Sequence, residues 1–241
     1  MPTDERAPHA DAPPLRGRLD RRRQATRAAL VAAARGLLVH STADQVSIQQ
    51  ITDAADVGFG SFYNHFESKV ELFGAAMEQV LEEHGQLLDA ATAPLTDPAE
   101  VLALSVRATG RIAIVQPDSA RILLRGGTAL LTADHGLAPR ALRDLRRGME
   151  QGRFTAADPR TVLALLGGGL LGVLQIWLCT DDGELSAPEL TTAVDELVEL
   201  VLRALGLAPD EAHELSHRPL PHLEAPEPVP TVGPRRADGV R

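Results

Sequence analysis

The chain has 241 residues, 44% of them hydrophobic and only 3% aromatic, with a formal net charge of -9. That length can bury a sizeable core in one or two domains. The acidity excludes a protein that coats nucleic acid over its whole surface, and the single cysteine, Cys179, excludes an internal disulfide framework and points to a reducing cytoplasm.

Ala and Leu dominate, strand-forming runs are sparse and no alternation persists, so the fold class expected is all-α. Residues 1–19 are rich in Pro, Ala and charge and read as a disordered arm. From Arg16 to Arg27, six arginines face one acid, Asp20, a local basic patch on an acidic body. A first helix is expected from about Arg21 to His40, with Leu30, Ala34, Leu37 and Leu38 at helical spacing. Its basic-then-apolar order loosely resembles a secretion signal, but Arg27 and Arg35 interrupt it and no cleavage site follows. Ser47 with Gln50 and Ser68 with Glu71 fit the capping box, in which two side chains satisfy orphan amides reciprocally. They open a second helix over Ile48 to Ala55 and a fourth from Lys69 to about Ala90, with a third over Gly58 to His65 between them. Ile48, Ile51, Ala55, Val57, Phe62 and Phe66 close a small core. Gly58, Phe59, Gly60, Ser61, Tyr63, Asn64 and His65 are left outside. A helix-turn-helix works this way: apolar residues fix two helices and the outer face of the second enters the major groove.

Residues 27 to 73 resemble the DNA-binding domain of the TetR family of bacterial transcriptional regulators. The likeness rests on Gly60-Ser61-Phe62-Tyr63-Asn64-His65-Phe66, then Ser68-Lys69 and Leu72-Phe73. It implies a helix-turn-helix domain over 20–67 and a helical ligand-binding and dimerisation domain over 68–207, while the seven prolines of 208–241 read as a disordered tail. It further implies a double-stranded operator, a small-molecule effector and a homodimer at the nucleoid, with no membrane, catalytic residue, metal or cofactor. By the same resemblance Tyr63, His65 and Lys69 contact phosphates, and Ser47 presents a hydroxyl and amides to another. Gly60 allows close backbone approach, while Phe59, Ser61 and Asn64 face base edges. Arg27 and the arm before it reach the backbone or minor groove. Asp56 departs from the family's usual glycine at the turn but tolerates the left-handed conformation. Thr42, Thr52 and Phe59 also depart from the pattern and bear on operator choice.

Asp97-Pro98 and Asp158-Pro159 put proline at a first helical position, and Ser186 with Glu189 forms another capping box. Helices are expected near 98–115, 118–131, 138–151, 160–179 and 187–205. Arg107 with Arg111 and Arg121 with Arg125 repel mildly at four-residue spacing. They converge on an anionic ligand or are scattered surface arginines. Met77, His84, Gln116, Gln175 and Trp177 are further pocket candidates, and the scarcity of aromatics argues against a cage for cations. Leu163 to Cys179 is an apolar run at the bottom of the membrane-spanning range, broken by Gly167-Gly168-Gly169 and Gln175, with Cys179 expected as a buried small hydrophobe. Gly168 and Gly172 share a face, and glycine's cost in a helix suggests close packing. By resemblance that helix and the next, with Leu190, Val194, Leu197 and Val201, form the dimer seam; packing within one subunit is the alternative.

His213-Glu214-Leu215-Ser216-His217 matches H-E-x-x-H, so a helical metal-dependent hydrolase is one rival reading. Pro219 and Pro221 follow, and His222 has the wrong spacing for a third ligand of the longer motif. Adventitious metal capture by His213, His217 and His222 is favoured over catalysis. A helical protein–protein adaptor is the other rival. Neither needs Tyr63, Asn64 and His65 outward beside basic residues.

Overall fold

A computed structural model describes residues 15–155, 158–179 and 186–221, and only the backbone of residues 15, 16 and 179. Every regular element among them is helical. In chain order these are α1 Leu15–Leu38, α2 Ile48–Ala54, α3 Phe59–Tyr63, α4 Lys69–Thr92, α5 Pro98–Val115, α6 Pro117–Gly126, a tight 3-10 segment Gly127–Thr132, α7 Leu137–Glu150, α8 Pro159–Cys179, α9 Ala187–Ala204 and α10 Pro209–His217.

The caps act as their chemistry dictates. Ser47 and Gln50 satisfy each other's amides at the start of α2, and Ser186 and Glu189 do so at α9. Ser68 accepts from the Glu71 amide, but the Glu71 carboxylate takes the amide of Glu67 instead of closing the box on Ser68. The Asp97 side chain caps α5 through the Ala99 amide, with Pro98 as the first helical residue. The turn between α2 and α3 is made by Asp56, at φ 52°. Its carboxyl-bearing side chain is one of the few that enter that region at low cost. Gly206, at φ 95°, ends α9, and the Leu207 amide donates back to Leu202.

Two corrections concern the ends. The first helix begins at Leu15, so residues 15–19 of the expected arm are helical; 1–14 lie outside the described residues. The expected tail is helical over Pro209–His217, with Pro209 at the helix start, Ala212 and Leu215 in the core, and Ser216 buried. Proline there initiates a helix and does not break one. Residues 222–241, including His222, lie outside the described residues, as does the Cys179 side chain.

Leu30, Ala34, Ile51, Phe62, Phe66 and Leu72 form the head's core from α1 to α4, and Ile122 of α6 completes it. The remaining helices surround a second core. There α5 lies so close to α9 that a Cβ on Gly110 would stand 2.5 Å from Val194, which only glycine permits. α4 spans both halves, from Lys69 beside α2 to Asp89 and Thr92 in the C-terminal half.

Candidate nucleic-acid interface and ligand cavity

α3 buries Phe62 completely and turns its other side outward. Phe59 is 49% exposed and Tyr63 57%, and their rings meet edge to face at 6.0 Å. Gly60 and Asn64 are exposed; Ser61 and His65 are half-buried. Desolvation, then the charges of Arg23 and Arg27, holds the His65 imidazole below its ordinary pKa. At neutral pH the half-buried ring is therefore neutral and keeps one N–H donor. The Arg27 guanidinium sits 5.0 Å from the centre of the Phe66 ring. That stacking steadies a charge pointing along the same face. Lys69 Nζ donates to the Val46 carbonyl at 2.6 Å, which tethers the ammonium while two protons stay available. Ser47 makes the expected cap. Its hydroxyl accepts from the Gln50 amide and donates to Gln50 Oε1 at 2.9 Å, so its proton is already engaged at the cap.

A cavity of about 120 Å³ lies between α4, α5, α6, α7 and α8. Its walls are aliphatic, with Leu102, Val106, Leu163, Leu166 and Leu170 among them, and Ser105 and Thr109 supply hydroxyls. Arg140 stands at its edge, bound to Asp89 at 2.7 Å, to Glu82 at 2.8 Å and to the Gly136 carbonyl. The Arg140 guanidinium holds Glu82 below the usual carboxylate range, and at Asp89 burial is outweighed by hydrogen bonds from Arg140 and Arg143, which hold it low as well. Thr109 donates its single hydroxyl proton to the Ser105 carbonyl at 2.8 Å. The 3.0 Å contact with His84 therefore requires His84 Nε2 to carry the proton and donate. Burial lowers His84 to about 4, so it is neutral.

None of the expected ligand residues lines this cavity, and the reasons are physical. Arg107 is 2% exposed and pairs bidentately with Asp195, Nε to Oδ1 at 2.6 Å, while its Nη1 donates to the Arg218 carbonyl. Its charge is spent inside the subunit. Arg111 supports the same Asp195 at 3.7 Å. Arg121 pairs with Asp118 on the surface. Arg125 donates to the carbonyls of Leu38 and Ser41 at the end of α1. Met77 packs between two core clusters, Gln175 is exposed, and Trp177 lies near the far end of α8. His84 lies behind Thr109, one layer from the cavity. The residues missed, Ser105, Thr109 and Arg140, carry no sequence spacing that sets them apart.

The seam is likewise redistributed. Leu190, Val194 and Val201 are buried inside their own subunit, and Leu197 fills the space beside Gly169. Gly167 meets Leu131. The glycines that packing inside the subunit requires are thus Gly167 and Gly169. Gly168 and Gly172 face outward with nothing within 4 Å, beside exposed Leu165 and Ile176. Pro159–Leu178 is long and apolar enough to cross a membrane, and it is 17% buried.

A buried three-helix core presenting one polar helix face beside a basic helix defines a helix-turn-helix DNA-binding protein. Residues 30–76 match the family described as bacterial regulatory proteins, tetR family, and residues 97–218 match the tetracyclin repressor-like C-terminal domain. The chain is similar to RolR, solved in complex with resorcinol, at 33% identity over 85% of this chain and 99% of that one, TM-score 0.61. The ligand-free RolR structure gives 33% identity, coverage of 81% and 99%, and a TM-score of 0.64. A TetR-family transcriptional regulator from Pectobacterium atrosepticum is 28% identical, covering 78% of this chain and 98% of that one, TM-score 0.57. No curated protein matches. The chain belongs to the TetR family of DNA-binding transcriptional regulators, a family of soluble bacterial, non-enzymatic proteins of the cytoplasm.

Proposed function

We propose that the protein is a homodimeric repressor at the nucleoid, and that a small, mostly apolar, hydroxyl-bearing molecule releases it from its operator. The observation that carries this reading is the placement of α6. Leu123 lines the cavity, the adjacent Ile122 belongs to the core of the reading head, and Arg125 holds the end of α1. A ligand that displaces one face of α6 thereby displaces the other two contacts. The aliphatic walls favour an apolar body, and Ser105 and Thr109 offer hydrogen bonds to hydroxyls. RolR, with its bound resorcinol, supports a small phenol as the first compound to try.

The outward-facing stripe of exposed Leu165, Gly172 and Ile176 with half-buried Gly168 recurs every three to four residues on α8, and Leu200 is exposed on α9. A second copy packed there would bury it about a two-fold axis. Two heads then read half-sites about 34–36 Å apart. A ligand-favoured spacing that misses this distance lowers operator affinity. In each head Tyr63, Asn64 and Lys69 serve as DNA contacts. Electrophoretic mobility shifts on duplexes selected from a random pool, with and without resorcinol, test the reading. Selection of a palindromic site and its release by a phenol support it; a monomer that enriches no sequence refutes it.

A further inference from the structure

We propose that α9 and α10 hold a late first-row divalent cation, of the Zn²⁺, Ni²⁺ or Cu²⁺ type, on Glu199, His213 and His217. One donor atom from each lies within 4.8 Å of the others. His213 and His217 are four apart on α10, so their rings stand one over the other, 4.1 Å between centroids and 29° between planes. Glu199 comes from α9, and its Oε2 lies 2.9 Å from His213 Nδ1. A four-coordinate zinc at about 2.0–2.2 Å from N and O ligands needs donors about 3.4 Å apart. Both imidazoles are exposed, so small rotations close that gap, while packing against α10 keeps Glu199 only 22% exposed.

Donor chemistry selects the metal. Two imidazoles and one carboxylate suit zinc, nickel and copper, whereas magnesium and calcium demand more oxygen. Glu214, the acid inside the H-E-x-x-H run, turns instead to Arg218 at 2.8 Å. It is therefore not placed as a general base, and the site binds without hydrolysing. Arg203 lies 3.8 Å from Glu199 Oε1 and is half exposed, free to swing into solvent. The third ligand stands 14 residues before His213 and joins the pair only because α10 folds back on α9. An ion bound there ties the two helices together. It stabilises the fold by mass action, because the unfolded chain lacks the assembled site. This inference does not depend on the regulatory reading.

The test uses untagged full-length protein, stripped with a chelator and titrated calorimetrically with ZnCl₂, NiCl₂ or MgCl₂, with a thermal melt at each endpoint. One zinc or nickel per chain, a raised Tm and no response to magnesium are expected. The double variant His213→Ala, His217→Ala loses both effects while its metal-free melt stays close to that of the parent. Glu199→Gln, which keeps the side chain's shape, weakens binding at least about tenfold. No uptake by the parent overturns the proposal. So does equal uptake by the double variant, which moves the ion to other histidines, and so does an unchanged affinity in Glu199→Gln.

Discussion

Arg125→Ala tests whether α6 couples the cavity to the reading head. The change deletes two charge-assisted hydrogen bonds, to the carbonyls of Leu38 and Ser41 at the C-terminal end of α1. Bonds to a charged group contribute about 1.5–3 kcal/mol each, and a cation at a helix C-terminus adds a few tenths more. Arg125 is exposed and the Ser41 carbonyl can be taken over by water, which discounts the sum. We expect a loss of about 1–2 kcal/mol, or a Tm drop of about 2–8 °C at this chain length. The cavity is not lined by Arg125, so ligand affinity for the free protein should change less than about twofold. If the clamp exists only in the DNA-competent arrangement, its loss removes up to the same free energy from the coupling. A ligand's effect on operator affinity then shrinks about 5- to 30-fold, since 1.4 kcal/mol is a factor of ten. Fluorescence anisotropy on a labelled operator, with and without saturating resorcinol, reads that ratio. A variant that melts early yet keeps the full ratio would show that α6 holds the head without signalling to it.

Three further outcomes follow from the geometry. Asp195→Ala strands the buried Arg107 guanidinium and should cost about 3–5 kcal/mol in urea unfolding, with much of it recovered in Arg107→Met, Asp195→Ala; a loss under about 1 kcal/mol would mean that Arg107 is not committed to that pair. Tyr63→Ala and Lys69→Ala should weaken specific and non-specific duplexes alike in salt-series titrations, whereas Asn64→Ala should mainly relax sequence choice; a uniform loss from Asn64→Ala contradicts its role at a base edge. His84 sits at about 4 when folded against 6.5 unfolded, so between those values the unfolded chain takes up a proton that the folded one refuses. Stability is therefore full above pH 6.5 and falls toward pH 4 at up to about 1.4 kcal/mol per pH unit; a His84→Gln variant should flatten that slope, and an unchanged slope assigns the loss to other groups.

The reading head was legible because local chemistry and global packing agree there. Ser47 and Gln50, Asp56, Phe62 and Phe66 each announce a cap, a turn or a core position within a few residues. The cavity was not legible, because its walls come from five helices and consist of leucines indistinguishable in sequence from those of any core. The arginine pairs misled for a related reason. Spacing of four places Arg107 with Arg111 and Arg121 with Arg125 on shared faces, but Arg107, Arg111 and Arg125 meet Asp195 and the α1 carbonyls some 84 to 88 residues away, and Arg121 stays on the surface with Asp118. The tail misled through composition: Pro209 opens a helix whose Ala212 and Leu215 complete the core, and proline counts alone cannot distinguish that role from disorder.

The pairing of charges gives the acidic chain a direction. In the C-terminal half Arg107, Arg140, Arg143, Arg153 and Arg218 each meet a carboxylate within 4.0 Å. Among the described residues, Arg18, Arg22, Arg23 and Arg27 have no such acidic partner, all are exposed on α1, and Arg23 and Arg27 act on His65 just beyond α3. Arg146, Arg147 and Arg160 are also exposed without a carboxylate of the described residues within 4.0 Å, but they are spread over α7 and α8, whereas the four on α1 fall within one short stretch of a single helix. An acidic body disfavours a duplex in general, whereas a dense basic stretch can exchange condensed counterions for arginines. Net acidity and DNA binding are therefore compatible. In the proposed reading, the acid raises the penalty for wrong orientations and the basic end of α1 brings Tyr63 and Asn64 to the groove.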